Sequence, residues 1–416
     1  MKNIIIFFLI VNISMSCSRN AREREVGNKF SNASESLSDS LFDLPILETD
    51  SLITIKLPEK IEDPKNDVIV TSDLIESIEY IPLETTKNSL VHSVEQSLIY
   101  NDNIYILDNF GKSILMFNKQ GKFIKRIGSY GKGPKEYINP IKITLNEKSQ
   151  KLYVLDDKTS KLLIYDLSGN YLSEERIKFR VNDFLFLNDS TCIVNTGTRE
   201  NFHLPEIANN KLVLTDKKWK ILAKGFEYDA AHCNTVSFSR NGLYRYKNQI
   251  IYNPTLSNYI YRITPFGIQP KYFIDAGKAM LPEGFDYELT FDDFFKKYDS
   301  RQSKYVYIDK PIIETDNFLI TTLRYQSRFL YFFYSKNTRT LFCSLYYKPK
   351  PDGLTILTPF RGISAEDEFY GFTDAIGFKR EMDFVIKVTH VEISPKLKAI
   401  KEDDNPIFIF YKLKKF

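Results

Sequence analysis

The feature that most constrains the fold is a gap-free internal repeat with an offset of 48 residues. Asn103–Ile127, NIYILDNFGKSILMFNKQGKFIKRI, lies over KLYVLDDKTSKLLIYDLSGNYLSEERI beginning at Lys151. Ile104–Asp108 falls on Leu152–Asp156, Ile114–Phe117 on Leu162–Tyr165, and Gly121 on Gly169. A period of about 40 to 50 residues is characteristic of propeller blades. Each unit reads as a short β run, a turn rich in Asp, Asn, Gly or Thr, a second run, a glycine-ended hairpin turn and a third run. That is most of a four-stranded blade.

Fainter copies continue along the chain. CIVN at Cys192 with KLVLTDKKWKILAKGF from Lys211 gives a third unit, and QIIYNPTLSNYIYRITPFGIQPKYF from Gln249 a fourth. NFLITTLRYQSRFLYFFYSKNTRTLFCSLYY from Asn317 gives a fifth, and DEFYGF through NPIFIFYKL a sixth. In the insertion PEGFDYELTFDDFFKKYDS from Pro282, apolar residues near helical spacing predict a short helix, either covering one face or serving as a lid. A radial array must close, because open first or last blades expose strand edges. The run LIESIEYIPLE, Leu74–Glu84, has no local partner and is expected to complete the last blade beside Pro406–Leu413. The expected fold class is therefore all-β, a six-bladed β-propeller of four-stranded antiparallel blades with a short helical insertion.

Composition agrees. Of 416 residues 43% are hydrophobic and 14% aromatic, with 26 Tyr and 32 Phe, residue types that suit pleated, half-buried surfaces. The net charge is +4 with no basic stripe, which argues against nucleic acid as a partner. The cysteines, Cys17, Cys192, Cys233 and Cys343, lack metal-binding spacing. His92, His203, His232 and His390 form no HxH or HxxxH pair, and G-x-S-x-G is absent, so no catalytic or metal residue is assigned. His232 and Cys233 adjoin in sequence, but a thiol nucleophile needs a base placed beside it in space.

The start of the chain carries different information. Lys2 and the apolar run Ile4–Val11 have the form of a signal peptide, and Ser14-Met-Ser-Cys17 resembles a relaxed lipobox, against the alternative of a plain signal peptide. The expected organisation is a lipoprotein signal peptide over 1–17 with lipidation at Cys17, a flexible Ser-, Asn- and charge-rich linker over 18–66, and the propeller over 67–416.

With YIPLET at 80–85, YILDNFGKSILMFNKQGKFIKRIG, GKGPKEY at 131–137 and EDDNPIFIFYKL at 402–413, the chain resembles the six-bladed β-propeller lipoproteins of Gram-negative gut bacteria, which are distantly similar to NHL-repeat propellers. The resemblance implies the fold and an outer-membrane lipoprotein facing the periplasm or the cell surface. It brings no catalytic motif.

The candidate sites lie on interblade loops. GSYGKGPKEY, from Gly128, has the glycines of a phosphate loop but neither the following helix nor a Ser or Thr after the lysine, so it is read as a crossover between blades. Its Tyr130, Lys132 and Tyr137, with Phe202 and His203 on another loop, are the binding candidates; Tyr137 also has the alternative of packing between blades. Asp108 and Asp156, repeated at one blade position, suit either a turn or a channel calcium ion. The expected function is a monomeric, lipid-anchored envelope propeller that binds or scaffolds a glycan, peptide or partner protein, without a cofactor. The alternative is a lactonase- or arylesterase-like propeller hydrolase using a channel-bound metal.

Overall fold

The computed structural model describes residues 29–30, 32–59, 61, 68–197, 201–228, 242–282, 291–309, 311–349, 353–365 and 367–416. Blade 1 comprises Val94–Tyr100, Asn103–Asp108, Ser113–Asn118 and Phe123–Ile127, in that order from the axis outward. Blade 2, Pro140–Asn146, Lys151–Asp156, Lys161–Asp166 and Tyr171–Arg176, repeats it. The two middle strands of each are buried almost throughout, which is why YILD and YVLD read as continuous apolar runs: both faces of a middle strand are covered by neighbouring blades. The hairpin glycine is also fixed by packing. Gly121 has φ +84°, and a Cβ there would stand 2.3 Å from the Pro82 carbonyl oxygen of blade 6.

Blades 3 to 6 follow the fainter repeats. Asp183–Phe186, Thr191–Asn195, Asn210–Asp216 and Ile221–Glu227 form blade 3, and Leu243–Tyr246, Gln249–Tyr252, Tyr259–Thr264 and Gly267–Asp275 form blade 4. In blade 5 the inner edge is split between Val306–Ile308 and Ile313–Glu314, both paired with Phe318–Tyr325, followed by Arg328–Ser335 and Leu341–Ser344. Blade 6 takes Phe360–Ala365, Glu368–Thr373 and Ile407–Leu413 from the C-terminal part of the chain and Ile75–Pro82 from the N-terminal part. Ile75–Pro82 is antiparallel to Ile407–Leu413, with Ile81 opposite Phe408 and Glu79 opposite Phe410. The ring is thus closed by the strand that lacked a local partner in the sequence.

The segment before that strand departs from expectation. Within the region read as a flexible linker, Leu37–Asp43 pairs in parallel with the outermost strand of blade 3, and Ile53–Lys56 with the outermost strand of blade 4. Val68–Val70 then pairs with Tyr346–Lys348 beyond blade 5. This part of the chain is a belt around three consecutive blades, and Leu44, Ile55 and Leu57 are buried beneath it. Its hydrogen bonds come from strand edges that the blades would otherwise expose.

The insertion after Pro282 contains the expected helix, Phe291–Tyr298, with Phe294 and Tyr298 buried. A longer helix, Ala375–Thr389, lies between the second and third strands of blade 6; Asp374 caps its N-terminus by accepting from Gly377 N, and Phe378, Met382 and Val385 form its buried face. Cys17, the signal-peptide segment, His232 and Cys233 lie outside the described residues. Among the described residues no helix is long and apolar enough to cross a membrane.

Candidate functional site

The crossover 128–137 divides its candidate residues. Gly128 has φ +67°, and a Cβ there would meet the Tyr165 hydroxyl and the Tyr137 ring, so only glycine turns the chain at this point. Beyond it Tyr130 is 65% exposed and Lys132 is also exposed. Tyr137 is fully buried. Its hydroxyl donates to Ile127 O at 2.9 Å and accepts from Ile114 N at 3.2 Å, and its ring packs with Tyr105 and Tyr165 between blades 1 and 2. The packing alternative therefore holds for Tyr137, and a surface binding role does not.

His203 is likewise occupied. Its Nε2 donates to Lys178 O at 3.0 Å, and its ring stacks on Phe30 with centroids 4.7 Å apart and planes at 9°. Burial, opposed by the bond to Lys178 and assisted by Arg180, lowers its pKa, so the imidazole is held neutral. Phe202, beside it, is partly buried. Together His203 and Phe30 fasten the start of the described chain onto blade 3.

The repeated carboxylates perform the turn role. Asp108 is fully buried and accepts from His92 N, Ser93 N and Gly111 N. Asp156 accepts from Ile138 N, Asn139 N, Lys158 N and the Thr159 hydroxyl. Each ties the start of a blade's inner strand to the loop between its second and third strands. Asp108 also meets His92 Nδ1 at 3.1 Å, a pairing across 16 residues that spacing rules do not detect. Among the described residues no three His, Cys, Asp or Glu side chains converge as metal ligands.

The inner edges of all six blades enclose an axial channel of about 1250 Å³. Glu95, Lys142, Tyr244 and Arg361 line it, and Asp183 and Asp309 act on this group without lining the channel themselves. Lys142 Nζ lies 2.6 Å from Asp183 Oδ1, and both side chains are nearly inaccessible. Asp183 also accepts from Phe184 N and, across to blade 4, from Leu243 N, so this carboxylate joins three blades. Burial, reinforced by Asp183, pushes the Tyr244 hydroxyl far above the usual phenol range and keeps it a neutral donor. Arg361 lies over the Phe372 ring at 4.9 Å, and its buried Nε has no hydrogen-bond partner among the described residues. Burial lowers the Arg361 pKa, against the pull of Asp309, Tyr370 and Glu95. Farther along, Arg245 and Glu147 also line it. The channel thus mixes both signs of charge with aromatic walls and can offer donors and acceptors at once. Sequence reading missed this group, because the six residues are far apart in the chain; the available signal was a polar residue inside an inner strand, such as Lys142 in PIKITL.

Comparison with solved structures agrees with the fold. The crystal structure of a "Putative exported protein" from Bacteroides fragilis is 22% identical, covers 88% of this chain and all of its own, and superposes with a TM-score of 0.68. A member of the DUF4221 family from Bacteroides vulgatus is 11% identical over 82% of this chain and 97% of its own, with a TM-score of 0.49. No functionally curated protein matches the sequence. A family model described as "Domain of unknown function (DUF4934)" matches residues 52–412, from the belt strand on blade 4 to the last strand of blade 6, and the chain belongs to that family.

Proposed function

We propose that this protein is a binding module of the cell envelope, tethered by a lipid at Cys17, that takes its ligand into the axial channel. The observation that carries the reading is the channel itself: about 1250 Å³ lined by residues from every blade, polar and aromatic groups among them. Ligand sites combine apolar walls with a few placed polar groups in this way. The signal-like N-terminus and the exported designation of the Bacteroides fragilis neighbour support an envelope location. Tyr130 and Lys132, exposed on the crossover, are a second place where a ligand or partner protein can be gripped.

The test is a glycan and peptide array probed with the full chain, with Glu147→Trp, which fills the channel wall, and with a Tyr130→Ala, Lys132→Ala double variant. Loss of binding in the first variant alone supports the channel. Loss in the second alone moves the site to the crossover. Metal analysis of the same preparation addresses the hydrolase alternative, since stoichiometric calcium would favour a channel metal over simple binding.

A further inference from the structure

We propose that the channel selects a hydroxyl-rich monocarboxylate, of the uronic-acid type, whose carboxylate is received by the Arg361 guanidinium. This deepens the channel reading and rests on it. Arg361 lines the channel, and its buried Nε lacks an acceptor among the described residues. A guanidinium presents a planar fork of donors that matches the two oxygens of a carboxylate, and the paired geometry makes such bonds both strong and selective. Its flat face is already held against Phe372, so the fork is oriented before any ligand arrives. Tyr244 lines the same channel.

The surrounding charges set which anion fits. Glu95 and Asp309 act on Arg361, and Asp183 acts on Tyr244 next to it. A phosphate dianion entering here meets Glu95 and Asp309, Asp183 being already paired with Lys142, whereas a monocarboxylate brings a single charge to a single guanidinium. Glu95, at the Arg361 end of the channel, is exposed and offers carboxylate oxygens as acceptors, which suits a ligand carrying several O–H donors.

The test is calorimetric titration of the full chain with D-glucuronate, D-glucose, glucose 6-phosphate and trialanine. Glucuronate is expected to bind at least about 10-fold more tightly than the other three. Arg361→Gln is expected to weaken glucuronate about 10- to 100-fold, the range for loss of a charge-assisted bond, and Arg361→Lys to weaken it less. Glu95→Gln, which removes a repelling charge while leaving Arg361 intact, is expected to tighten glucuronate a few-fold; it keeps the test decisive should Arg361→Gln melt early by circular dichroism. Equal binding of glucuronate and glucose, preference for the phosphate or the peptide, silence of all four probes, or an unchanged affinity in a folded Arg361→Gln variant each overturn the inference. Glucose binding that Glu147→Trp abolishes would do so while leaving the channel reading intact.

Discussion

Glu314, on the inner edge of blade 5, shows how a single side chain can hold two blades together. Its buried carboxylate receives Lys271 and Lys336 at 2.8 Å and the Tyr272 hydroxyl at 2.7 Å. Burial alone would raise its pKa; the two ammonium groups outweigh burial and hold it below the usual carboxylate range. A carboxylate with a depressed folded pKa contributes stability that is present above its unfolded pKa, near 4.3, and is lost as pH falls through the folded value. Acid denaturation should therefore be less steep in Glu314→Gln than in the parent. Glu314→Ala, which strands two lysines, should lower stability at neutral pH by about 3 kcal/mol in a denaturant titration. Tyr137 makes a different point. Tyr137→Phe removes a hydroxyl that both donates and accepts, so an expected loss of about 1–2 kcal/mol should appear in the melt with ligand affinity unchanged. Tyr130 and Tyr137 lie seven positions apart in one glycine-rich loop, and no property of the residues themselves separates the exposed one from the buried one. The left-handed turn at Gly128 and the neighbouring blade do, and both are tertiary facts.

At the scale of elements, the closing strand depends on one amide. Asn405, buried just before Ile407–Leu413, accepts from Val91 N at 2.8 Å and donates from Nδ2 to Glu84 O and Ser89 O, each at 2.8 Å. It thereby links the C-terminal strand to the loop that follows YIPL. Asn405→Ala, which leaves these backbone groups without partners, should cost about 2 kcal/mol, measurable as a lower denaturation midpoint. The belt strand on blade 4 relies instead on Ile55, the buried residue in its exposed–exposed–buried–exposed pattern. Ile55→Ala should cost about 2–3 kcal/mol, and less if the belt can settle into the gap. These elements were unequally legible in the sequence. The blades announced themselves because their middle strands are apolar on both faces and punctuated by turns. The belt did not: its strands are only partly buried, without a regular apolar face, and their stability comes from edges already built elsewhere. The helix Ala375–Thr389 carries a helical pattern in Phe378, Met382 and Val385, but it sits inside one blade unit where strands were expected.

For the molecule as a whole, the ring joins distant parts of the chain, and the channel exists only when it is closed. This is why the fold could be read from a repeat while the candidate site could not: Glu95 and Arg361 are 266 positions apart and become neighbours only through the closing strand. A chain beginning at Val68, lacking the first two belt strands, should retain the six blades but melt at lower temperature and self-associate in size-exclusion chromatography, since the outer edges of blades 3 and 4 would be left open. The belt also determines how the protein responds to pulling. A load applied ahead of residue 37 reaches blade 3 first, then blade 4, then the pairing beyond blade 5, and only after these the strand that closes blade 6. Extension of a single molecule from that end should release short lengths of chain in steps before the ring opens, so the belt would absorb jolts on a tether while the channel kept its shape.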